Sequence, residues 1–166
     1  MDSSTIGAIV FIGLLILGLG VLINGAWINW QVSLQYQRDI GGFFEYADRA
    51  SDAKTKSMYF DKYVDALNKE GLSSGYSSVY FQNQPEANLA NEWNVATSLQ
   101  ERLHALTKMD ENTMQYQQGI QQISITEFCW FPDGAFEQGY DLKHGAWGSA
   151  LTPYKVENSC APPSKS

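Results

Sequence analysis

Lysine and arginine are absent before Arg38, proline is absent before Pro85, and the whole chain of 166 residues holds two cysteines and two histidines. Each absence excludes something. No cluster of basic residues exists to dock on anionic lipid, and a formal net charge of −7 has the wrong sign for a phosphate backbone. Nucleic acid is therefore not an expected partner. His104 and His144 lie far apart with no ligand-spaced companion, so no metal centre is expected, and no cofactor motif is present. Nucleophile elbows, phosphate-cradling loops and dinucleotide fingerprints are missing as well. A Cys129–His144 nucleophile pair would compete with Cys160 for the same sulfur. The chain reads as a non-enzyme. Asp48 and Asp52, and then Asp61 and Asp65, form i, i+4 carboxylate pairs off the apolar stripe described below, where a solvated helix face accounts for them.

One uncharged apolar block stands out. From Ile6 to Ile23 every residue is Ile, Leu, Val, Phe, Ala or Gly, and the block reaches Ile28 with Asn24 as its strongly polar member. A helix rising about 1.5 Å per residue covers a hydrocarbon core with about 20 such residues. Thirteen residues between Ile6 and Ile23 are Ile, Leu, Val or Phe, which together favour insertion by about 4–8 kcal/mol before glycine penalties. Trp27 and Trp30 follow where interfacial anchors belong. A cleaved secretory signal would need a shorter run, a basic leader and a small-residue cleavage site, and none is found. Lipid anchoring fails because residue 2 is Asp. Residues 1–30 are thus expected to be a transmembrane anchor integral to the membrane. Gly7, Gly18 and Gly25 share one face of that helix, since spacings of eleven and seven drift by only about 20° each. Such a face permits close helix approach, and hence a homo-oligomer through the anchor or contact with another membrane protein. Glycine is also simply common in such helices.

Residues 31–128 are expected to form a helical bundle. The stripe Tyr36, Ile40, Phe43, Ala47, Ala50, Ala53, Ser57, Phe60, Val64, Leu67 advances by threes and fours, predicting one long amphipathic helix continuous with, or led by, the anchor. Gly41-Gly42 is its weak point, a hinge or a site of close packing. Gly71-Leu72 supplies a helix stop. A polar loop follows over 73–84, and Pro85 can open a second helix with the stripe Leu89, Trp93, Ala96, Leu99, Leu103, Leu106. Asp110 or Asn112 can cap a third, carrying Met114, Tyr116, Ile120 and Ile123.

Residues 129–160 read as an irregular tail, punctuated by Pro132-Asp133-Gly134, Gly139, Gly145 and Gly148, with a short hairpin near Lys143-His144-Gly145. Residues 161–166 read as disordered. Cys129 and Cys160 flank this tail and are expected to staple it. A bridge closing about 30 residues contributes about 3–4 kcal/mol in the chain-entropy model and needs an oxidising compartment, which places the domain outside the cytoplasm. Trp130, Phe131, Tyr140 and Trp147 make the tail a candidate binding surface, with packing on the bundle as the other use of those rings.

The expected fold class is therefore all-α: a transmembrane helix, a bundle of about three helices and an aromatic-rich C-terminal segment. The expected function is a single-pass membrane-anchored interaction or assembly protein that docks a protein partner at the membrane surface. The alternative is a helical ligand-binding sensor signalling through a membrane partner. With only Met1 to about Ser4 ahead of the apolar block, no effector is visible on the far side, which favours the former.

Overall fold

A computed structural model describes residues 3–79, 82, 87–129, 131 and 133–146. The described chain is all-α, apart from an isolated bridge between Tyr76 and Asn88. Helix α1 runs Ser3–Tyr36 and passes through a π-helical turn, Gln37–Gly41, into α2, Gly42–Arg49. The stretch Phe11–Arg49 is long and apolar enough, by length and composition, to cross a membrane. The side chains from Phe11 to Ile28 are exposed. From Val32 onward the same helix turns inward, with Tyr36 and Ile40 almost fully buried.

Gly41 and Gly42 do not interrupt this helix. Both hold right-handed helical backbone, and space beside them is tight. A Cβ on Gly41 would lie 2.8 Å from the Gln37 amide oxygen, and one on Gly42 would lie 3.0 Å from the Gln37 carbonyl. The wider π turn sets the Gln37 carbonyl beneath Gly42, whose N–H bonds to it.

The expected single helix from Tyr36 to Leu67 is two helices. Ala50 takes an extended backbone, φ −68° and ψ 134°, and Asp52 starts α3, Ala53–Lys69, by accepting a 2.8 Å bond from the Thr55 N–H. Asp52 is thus an N-cap rather than a solvated face residue. The buried Lys56 locks the corner: its ammonium donates to the carbonyls of Ala47 and Asp48 at 2.8 and 2.9 Å and lies 4.1 Å from the Phe128 ring centre. A cation on the last carbonyls of α2 satisfies acceptors that the helix leaves open. Burial lowers the Lys56 pKa, against the pull of Asp48 and Asp52.

Helix α3 ends as its sequence requires. Gly71 has φ +67°, Leu72 N–H bonds to Leu67 O at 2.9 Å, and the Leu72 side chain is buried. Helix α4, Leu89–Leu106, begins at an Asn88 cap that accepts from the Ala90 N–H. Pro85 lies outside the described residues. Leu89, Ala96, Leu99, Leu103 and Leu106 are buried and Trp93 packs beside them. Helix α5, Met114–Gln122, is capped by Thr113 instead of Asp110 or Asn112; Asp110 braces the preceding turn by accepting from Asn112 N–H. A π-helical turn, Ile123–Glu127, follows. Gly119 lets α5 close on α4, since a Cβ there would lie 2.6 Å from a Leu106 methyl.

The segment expected to be irregular contains a helix, α6, Asp133–Lys143. The expected hairpin is its C-terminal stop: Gly145 has φ +81° and Ala146 N–H returns to Asp141 O at 2.8 Å. Helix α6 packs on α1 and α4, and Phe136, Tyr140 and Ala146 belong to the same core as Tyr36, Phe60 and Leu103. Residues 147–166, including Gly148, lie outside the described residues. The bundle therefore holds α2 through α6 together with the end of α1, more helices than the three expected.

Candidate functional site

The apolar helix enters the bundle through a polar joint. Ser33 and Tyr36 sit one turn apart on α1, and Asp133 and Glu137 sit one turn apart on α6. The Tyr36 hydroxyl donates to Asp133 Oδ1 at 2.6 Å, and the Tyr63 hydroxyl of α3 donates to the same oxygen at 2.8 Å. One turn on, Ser33 Oγ donates to Glu137 Oε1 at 2.9 Å. Three helices that meet nowhere near each other in sequence are thus tied at one carboxylate. Around it the Tyr36 and Tyr140 rings lie 5.5 Å apart and Tyr63 packs edge-on against Phe131 and Phe136.

Burial pushes the Asp133 carboxyl up to about 6, opposed by the two tyrosine hydroxyls and aided by the charges of Glu137 and Glu45. The Tyr36 phenol is raised by burial and then by Asp133, so it stays a donor. The joint can hold or release a proton between α1 and the bundle. No group of three side chains able to hold a metal occurs among the described residues.

A second feature lies on the α3–α4 surface. His104 Nε2 stands 2.9 and 3.0 Å from the Asp61 oxygens, and Gln100 donates to Oδ1 at 2.8 Å. Lys54, Ser57, Met58 and Thr107 complete an open groove of about 560 Å³. His104 therefore has a partner that its sequence spacing did not disclose, and Asp61 is engaged across two helices.

The structure treats the residues expected to act in different ways. Trp27 and Trp30 are exposed at the end of the apolar stretch, their rings edge to face at 5.2 Å. Gly7, Gly18 and Gly25 meet no other side chain. Phe131 and Tyr140 are core residues, only 7% and 5% exposed, so they form no binding surface; Trp130 and Trp147 lie outside the described residues. Cys129 is not a free thiol, while Cys160 lies outside the described residues, so the pairing of the two remains a proposal. Asp133, Lys56, Ser33 and Glu137 were not singled out by sequence. The signal for Asp133 was there in part: an Asp after Pro132, just ahead of the apolar pair Ala135-Phe136, is a helix-start pattern as much as a turn.

Compared with known proteins, the chain matches no family model, no curated protein and no solved structure.

Proposed function

We propose that the chain is a single-pass membrane-anchored interaction or assembly protein, with its helical domain held at the membrane surface. The observation that carries this reading is the double life of α1. Its side chains are exposed from Phe11 to Ile28 and apolar apart from Asn24, and over the following three turns Val32, Tyr36 and, in the π-helical turn, Ile40 are core residues. Exposed apolar surface of that extent on one helix asks for lipid. A helix that is also core carries the domain as a rigid extension of the anchor. Cys129, not a free thiol, supports a bridge to Cys160 and hence a domain outside the cytoplasm. Crosslinking in native membranes, followed by identification of what is captured, tests the assembly reading. A recurrent protein at stoichiometric yield is the expected outcome, and recovery of the chain with no protein attached counts against it.

The sensor reading draws on the groove between Lys54, Asp61 and His104. A small molecule that raises the melting temperature, and fails to do so once His104 is changed to Ala, would move the assignment there.

A further inference from the structure

From Asn112 to Thr126 the chain has no Asp, Glu, Lys, Arg or His, and this stretch builds α5 and the π-helical turn after it. Tyr116, Ile120 and Ile123 point into the core. Met114, Gln118, Gln121 and Ile125 are exposed in steps of four, three and four, with Gln117 and Gln122 beside them. Met114, at 75% exposure, is the most exposed large apolar side chain of the described bundle, and Ile125 is at 51%. The side-chain carboxamides of Gln118 and Gln121 make no hydrogen bond to any described residue. The face is thus neutral, ends in two apolar side chains, and holds carboxamides open at its centre.

Charge decides what can lie against it. Two copies of a chain with net charge −7 repel one another wherever their acidic surfaces meet, and at physiological salt that repulsion reaches over about 8 Å. A neutral face is where two copies can touch without it. A carboxamide is donor and acceptor at once, so glutamine can pair with its own equivalent across a two-fold axis. Met adapts its shape to an apolar contact. Confinement of both copies to one membrane plane raises their effective concentration.

We propose that α5 is the contact by which two copies of this chain pair, with Gln118 and Gln121 of each copy hydrogen-bonded to those of its partner and Met114 and Ile125 closing the ends. The proposal rests on the assembly reading and names its partner as a second copy. Gln118 and Gln121 lie symmetrically between Met114 and Ile125, so the glutamine pair meets the glutamine pair whichever way the two helices run, like with like when parallel and Gln118 against Gln121 when antiparallel.

The test uses the full-length chain in membranes. Gln121→Cys with a short thiol crosslinker should give a covalent dimer, whereas Ser98→Cys, exposed on α4, should not. Gln121→Glu alone and Gln121→Lys alone should each lose the dimer on native gels, and coexpression of the two should restore it. Circular dichroism of each variant, unchanged from the parent, certifies the fold. Crosslinking of position 121 to a different protein or to nothing, or single-charge variants that still pair, would overturn the proposal. A different protein held at position 121 would end the pairing proposal while leaving the assembly reading intact.

Discussion

Burial opposes the charge on Asp133 while the hydroxyls of Tyr36 and Tyr63 support it, and burial prevails, so the carboxyl titrates at about 6 instead of 3.8. The folded chain then holds this proton more tightly than the unfolded chain. Stability is greatest where the group is protonated, falls as pH rises from 3.8 through about 6, and is level above that. A shift of about two units corresponds to about 3 kcal/mol across that window. Asp133→Asn keeps an oxygen acceptor and removes the charge, so it should flatten this part of the profile and raise the melting temperature at neutral pH. Thermal melts over about pH 4 to 8 read this, and a slope equal to the parent's would assign the dependence to another group. Asp133→Ala should do the opposite at neutral pH, since it removes the carboxylate that accepts from two buried hydroxyls and leaves Tyr36 the longer 3.3 Å bond to the residue 133 carbonyl. Weakening a buried hydrogen bond in this way costs about 1–3 kcal/mol. Lys56 offers a second residue-scale test. Lys56→Met preserves the buried stem and removes the charge-assisted bonds to Ala47 and Asp48. A loss of about 1.5–3 kcal/mol is expected by urea titration, and a neutral result would show that the α2 carbonyls find water instead.

Helices α2 and α3 show what periodicity reveals and what it hides. Ala47, Ala50 and Ala53 are three apart, so the stripe runs on across Ala50, Ser51 and Asp52 as if the helix did. Both helices present most of that stripe to one core, so Ala47, Ala53, Ser57, Phe60, Val64 and Leu67 were legible as buried positions although the corner was not, and the buried Lys56 and Tyr63 lie off it. Its markers were Asp52, a good N-cap, and Lys56 four residues on. Asp52→Ala should therefore cost about 1 kcal/mol through loss of the cap, whereas Asp48→Ala, on an exposed position, should stay within about 0.5 kcal/mol. Equal effects in melts of the two variants would mean the Asp52 bond to Thr55 is not formed in solution. The stop at Gly71-Leu72 and the α4 stripe were legible because local chemistry settles both. Helix α6 was hidden because its glycines serve packing and termination: a Cβ at Gly139 would lie 2.8 Å from a Leu89 methyl, and Gly145 ends the helix. The polar joint was not legible at all. Asp133 lies 97 residues from Tyr36 and 70 from Tyr63, and no local pattern announces a contact at that separation.

For the whole molecule, two measurements test the proposed placement of the bundle outside the cytoplasm. Non-reducing peptide mapping should recover Cys129 joined to Cys160, with both thiols blocked in freshly isolated membranes. A reporter active only in the cytoplasm, fused after Ser166, should be silent. Free thiols with an active reporter would reverse the orientation. The inward turn of α1 has a further consequence, one of reach. With the apolar block in lipid, Ile28 and the core residue Val32 are separated by about one helical turn, or about 6 Å of rise. No flexible stalk intervenes among these residues, since α1 is unbroken from Ser3 to Tyr36. A domain on so short and stiff a mount cannot sweep the surrounding solution. Under the proposed anchoring it samples a thin slab just above the bilayer and turns only as α1 turns. Whatever it meets must come to that slab, so an encounter with a freely diffusing protein is rare beside one with a neighbour embedded in the same membrane.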